Sequence, residues 1–84
     1  MKIKIIGINI IDRIKASKQV QSVLSEFAPL IETRLGFHEL TPAVSSRKAF
    51  IILKLKGSTR EWEKFENRLG EIRGIEVKTM DFRY

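Results

Sequence analysis

The chain has 84 residues, no cysteine, 43% hydrophobic and 31% charged residues, and sixteen Lys and Arg against ten Asp and Glu, a formal net charge of +6. This length fits one domain, the proportions exclude a disordered chain, and the lack of cysteine excludes disulfides, thiolate zinc sites and cysteine nucleophiles. A core this small stands alone only when well packed, so association with a second copy is expected.

Lys2 to Ile11 is rich in β-branched residues and predicts a first strand. Ile6, Ile8 and Ile10 share one face, and Ile3, Ile5, Gly7, Asn9 and Ile11 share the other. Asp12 offers an N-cap oxygen to a first helix, whose apolar stripe is Ala16, Val20, Val23, Leu24, Phe27 and Ile31. Pro29 lacks an amide hydrogen and clashes with the preceding turn, so the helix ends or kinks near it.

Thr33 to Leu40 reads as a short second strand at a sheet edge, with Leu35 and Phe37 on one face and Arg34 and His38 on the other. Thr41 to Ser46 carries turn chemistry and no period, so it reads as a loop. Ala49 to Lys56 alternates Ile51, Leu53 and Leu55 against Phe50, Ile52, Lys54 and Lys56, a third strand. Gly57 breaks it, and Ser58-Thr59-Arg60-Glu61 fits a capping box. Trp62, Phe65, Leu69 and Ile72 then form the buried stripe of a second helix, with Gly74 placed for a left-handed C-cap. Ile75 to Phe82 is the last strand, with Ile75 and Val77 toward the helices and Met80 and Phe82 away from them.

The order strand, helix, strand, strand, helix, strand over residues 1–84 predicts one α+β domain of ferredoxin-like β-α-β-β-α-β topology: a four-stranded antiparallel sheet with both helices on one face. The other face would carry Ile3, Ile5, Ile11, Phe50, Ile52, Met80 and Phe82. An apolar patch of that size marks an interface, and a homo-oligomer is expected, a dimer or a tetramer. Lys54, Glu76 and Lys78 would interrupt the patch.

The basic residues raise nucleic-acid binding as an alternative. Acids weigh against it, since Glu61, Glu63, Glu66 and Glu71 alternate with Arg60, Lys64, Arg68 and Arg73 in the pattern of a solvated helix face. Arg47 to Leu53 is a weak match to the third strand of an RNA-recognition motif: Ile52 stands where a second ring is needed, and strand one has no aromatic. His38 is the one histidine, and it has no cysteine or carboxylate pair to share a metal with. Ser45 and Ser46 have no histidine base, and no glycine-rich phosphate loop occurs. The reading is therefore of a protein that is not an enzyme and needs no cofactor or metal. The turn from strand one into helix one is the best small-ligand candidate, because a helix N-terminus attracts anions. No segment reaches the roughly 18 apolar residues of a membrane span, and the first residues lack a cleavage site, so a cytoplasmic location without a membrane partner is expected.

Three stretches resemble one small family. Ile8-Asn9-Ile10-Ile11-Asp12-Arg13, followed by Lys15-Ala16 and Val20, is similar to its strand-to-helix entry. Arg34-Leu35-Gly36-Phe37 resembles its second strand, and Leu69-Gly70-Glu71-Ile72-Arg73-Gly74-Ile75-Glu76-Val77-Lys78-Thr79 resembles its ending. The family is the iron-only hydrogenase system regulators, whose fold is similar to ACT domains and to the C-terminal domain of the nickel-responsive regulator. The resemblance implies a regulatory protein that forms oligomers through its sheet. A small anionic or amino-acid-like effector is expected at subunit boundaries near Asn9, Asp12, Arg13 and Arg34. Amino-acid-binding ACT domains carry Asp-x-Pro-Gly at the first loop, where this chain has Asp12-Arg13-Ile14-Lys15. The nickel regulator's histidine and cysteine ligands are also absent.

Overall fold

The structure, a computed structural model, describes residues 2–11, 13–38 and 49–83. Strand β1 (Lys2–Ile10) leads to helix α1 (Arg13–Glu26), a 3-10 turn (Ala28–Leu30) and strand β2 (Ile31–His38). Strand β3 (Ala49–Leu55), helix α2 (Thr59–Gly70) and strand β4 (Ile75–Arg83) complete the chain. The strands form one antiparallel sheet in the order β2-β3-β1-β4, the ferredoxin-like arrangement. The proposed N-cap role of Asp12, the loop over 41–46 and the last two residues expected of the second strand lie outside the described residues.

The alternation read from the sequence sets which face is buried. Ile6, Ile8 and Ile10 of β1 and Ile51, Leu53 and Leu55 of β3 are all nearly inaccessible. They pack against Ala16, Val20, Val23 and Leu24 of α1 and Trp62, Phe65 and Leu69 of α2. Phe65 is fully buried, and its ring lies 5.1 Å from that of Phe27. Ile75 and Val77 pack against this core from β4 as expected.

Ile31 corrects the expected α1 stripe. The helix stops at Glu26, Pro29 sits in the following 3-10 turn, and Ile31 adopts extended backbone as the first residue of β2. A proline cannot donate to the helical ladder, so the chain leaves α1 before completing another turn. A bulge follows: Ile31 pairs with Leu55 and Thr33 with Lys54, which leaves Glu32 as the extra residue of the edge strand.

Helix α2 begins on the capping box that its sequence spells. The Ser58 hydroxyl accepts from the Glu61 amide at 3.3 Å, and the Glu61 carboxylate accepts from the Ser58 amide at 3.2 Å. Trp62 donates its indole N–H to the Lys56 carbonyl at 3.0 Å, which ties the helix to the end of β3. The helix ends at Gly70, before the position expected from Gly74. Gly74 does take a left-handed φ of 85°, but in the turn into β4, where its carbonyl accepts from the Ile11 amide at 2.9 Å. The charged residues of α2 reach further than one solvated face. Arg68 pairs with Glu26 of α1 as well as with Glu71, and Glu66 turns inward to Lys4.

Ser58→Ala leaves the Glu61 amide without its cap and should lower unfolding stability by about 1 kcal/mol. Urea denaturation checks this, with an unchanged m-value expected.

Candidate functional site

Two helices roof one face of the sheet, and the opposite face is the candidate site. The register places its residues in rows. Met80 of β4, Ile5 of β1, Lys54 of β3 and Thr33 of β2 form one row, and Lys78, Gly7, Ile52 and Leu35 form the next. Phe82 and Ile3 precede these rows, and Glu76, Asn9 and Phe50 follow them.

Read diagonally, the apolar residues form a continuous stripe. It runs from Phe82, Ile3, Met80 and Ile5 at one corner to Ile52, Leu35 and Phe50 at the other. The Phe50 ring lies over Gly7, where an added Cβ would stand 3.7 Å from Cζ, so the missing side chain of the central strand lets the ring bridge the sheet. Leu35 at 52%, Phe50 at 41%, Met80 at 55% and Phe82 at 49% are solvent-accessible, while Ile3, Ile5 and Ile52 are half-buried between them. Ile11, one residue beyond β1, is also exposed. Lys54, Lys78 and Glu76 do not break the patch as their sequence positions suggested. Lys54 sits at one flank, paired with Glu32 at 3.6 Å, and Glu76 and Lys78 sit at the other. Leu35 belongs to the patch, although its place in the sequence did not put it there. Its face follows from the alternation, but only the pairing with Ile52 brings it beside the stripe.

The expected effector residues do not converge within one chain. Asn9 pairs between Phe50 and Glu76 on the open face. Arg34 pairs with Leu53, on the face that carries the helices, and donates to the Gln21 side chain of α1 at 2.8 Å. Arg13 opens α1, and Asp12 is outside the described residues. Among the described residues no group of three or more His, Asp or Glu side chains is placed to hold a metal ion, and no helix is long and apolar enough to cross a membrane.

A groove of about 550 Å3 runs between α2 and the ends of β1 and β4, lined by Lys2, Lys4, Trp62, Glu66, Asp81 and Arg83 among others. Its floor holds a feature the sequence did not suggest. Lys4 lies on the helix-covered face of β1, is only 8% exposed, and pairs with Asp81 of β4 at 3.0 Å and Glu66 of α2 at 3.4 Å. Burial pulls its pKa down, but the hydrogen bond to Asp81 and the attraction of Glu66 and Asp81 outweigh it and hold the ammonium above its usual 10.5.

The model of the TM1266-like family, described as "Iron-only hydrogenase system regulator, putative", matches residues 2–79. The chain belongs to this family. The uncharacterized protein TM1266 from Thermotoga maritima has 31% identity and a TM-score of 0.82, over 99% of this chain and 100% of that one. More distant structures share the fold alone. A protein described as a "putative PII-like signaling protein", from Thermus thermophilus, has 13% identity and a TM-score of 0.58, over 98% of this chain and 88% of that one. A formyltetrahydrofolate deformylase from Pseudomonas putida has 11% identity and a TM-score of 0.58, over 93% of this chain but 28% of that one. Comparison with curated proteins finds no match.

Because the Lys4 pKa is raised on folding, its contribution to stability is complete below about pH 10.5 and is lost as the pH rises through the higher folded-state value. Lys4→Met should therefore flatten the fall in unfolding free energy as the pH rises above about 10.5. Identical alkaline slopes for the two proteins, measured by urea titration, would contradict this.

Proposed function

We propose that this protein is a non-enzymatic regulatory module that acts as a homo-oligomer, with the open face of its sheet as the contact between copies. The apolar diagonal stripe is the observation that carries the reading. Four large side chains on it, Leu35, Phe50, Met80 and Phe82, stand about half in water on one face of the sheet. At about 25 cal/mol per Å2, covering the exposed part of each is worth about 1 kcal/mol or more, so a matching surface gains several kcal/mol. A second copy offers the same apolar stripe, and isologous pairing sets apolar against apolar on both sides of a two-fold axis.

Membership of a regulator family and the PII-like signalling neighbour support the regulatory part of this proposal. The placement of Asn9 and Arg34 on opposite faces of one chain supports an effector site where two copies meet.

Ile52→Lys puts a charge in the middle of the stripe, on a side chain already half-buried at the surface and away from the core. The variant should fold with an unchanged far-ultraviolet circular dichroism spectrum and dissociate at least about tenfold more readily, roughly 1.4 kcal/mol. Equal masses for variant and unmodified protein in light scattering over a dilution series would remove the open face as the contact.

A further inference from the structure

The sheet has two edges, and they are built differently. The β2 edge carries the bulge at Glu32 and follows the Pro29 turn, both features that discourage a further strand. The β4 edge is nine residues long, pairs with β1 over its whole length without a register shift, and contains no proline. From Thr79 to Arg83 its residues are exposed whichever face they lie on.

The hydrogen-bond phase of this edge follows from one contact. Ile11 donates to the Gly74 carbonyl, which makes that pair a bonded one in the β1–β4 ladder. Bonded and non-bonded pairs alternate in an antiparallel ladder, so Glu76, Lys78, Met80 and Phe82 direct their backbone groups toward β1. Ile75, Val77, Thr79, Asp81 and Arg83 direct theirs outward.

We infer that a second copy of this chain adds to the β4 edge, antiparallel, with the two-fold axis at Val77. Side-chain complementarity selects that register. Centred on Val77, Glu76 stands opposite the partner's Lys78 on the open face, and Lys78 stands opposite the partner's Glu76. On the helix side Val77 meets the partner's Val77, and Ile75 meets the partner's Thr79. From residue 75 to residue 79 every opposed pair is an opposite-charge pair or a pair of β-branched side chains, both favourable across strands. Centred on Thr79, the same strand would set Ile75 against the partner's Arg83 and Val77 against the partner's Asp81. The Val77 register also uses the outward-facing groups of Ile75, Val77 and Thr79, whose three bonded pairs exchange six backbone hydrogen bonds. The product is an eight-stranded sheet whose two apolar faces lie on the same side. This contact is separate from the open-face contact, and each can fail without the other.

The chain has no cysteine, so introduced thiols report the register directly. In the bonded pair at the two-fold axis the Cα atoms stand about 5.5 Å apart, inside the range a disulfide bridges. In the same register the two Thr79 residues stand four residues apart along the strands, about 13 Å, which a disulfide cannot span. Val77→Cys should give a disulfide-linked dimer under mild oxidation at least about tenfold faster than Thr79→Cys. It should do so equally in the Ile52→Lys background, where the open-face contact is lost. Faster linkage of Thr79→Cys, or no linkage of a folded Val77→Cys, would overturn the inference. The exposed charges supply a second test that leaves the core untouched. Glu76→Lys should weaken association at this edge, and Glu76→Lys combined with Lys78→Glu should restore it; a double variant as weak as the single one would also overturn the proposal.

Discussion

Two helices can roof only one face of a four-stranded sheet, and this constraint organises the whole molecule. It makes Ile6, Ile8 and Ile10 of β1 and Ile51, Leu53 and Leu55 of β3 inward-facing, and it turns every residue between them outward. A slip of one residue in either strand would exchange the two sets, so the buried face fixes the register and the register fixes the composition of the open face. The diagonal stripe, the position of Phe50 over Gly7 and the flanking charges all follow from that one pairing scheme.

Local chemistry was the most legible part of the sequence. The Ser58 and Glu61 capping box, the end of α1 before Pro29 and the left-handed backbone of Gly74, though not its expected place as the cap of α2, each depend on residues close together in the chain. Two-residue alternation also assigned the strand faces correctly, including Arg34 against Leu35. What it could not supply was the alignment of one strand beside another. Lys54 and Lys78 therefore looked like interruptions of the patch, whereas the register sets them at its opposite flanks. Lys4 was illegible for the same reason. Its partners are 62 and 77 positions away, and only the fold brings Glu66 and Asp81 to a lysine on the buried side of β1. Asn9 and Arg34 lie on opposite strand faces of one chain, a placement that also depends on the fold as a whole.

Membership of the TM1266-like family sets a regulatory context, and the physical features of the chain suggest how such a module could work. A small domain with one apolar face and one unblocked edge would have, on the two proposals above, two independent ways to meet its copies. Joined at the β4 edge, two sheets become one wider sheet with a single broad apolar side; joined at that side, they bury what a single copy leaves wet. Sites formed between copies would then appear and vanish with assembly, which would link effector binding to oligomeric state.

Sedimentation equilibrium of the unmodified chain, from nanomolar to high micromolar concentration, tests the central claim most directly. The account predicts a weight-average mass that rises above that of one chain within this range. A single species of monomer mass at about 0.1 mM, where even a weak contact of this kind would be occupied, would contradict it.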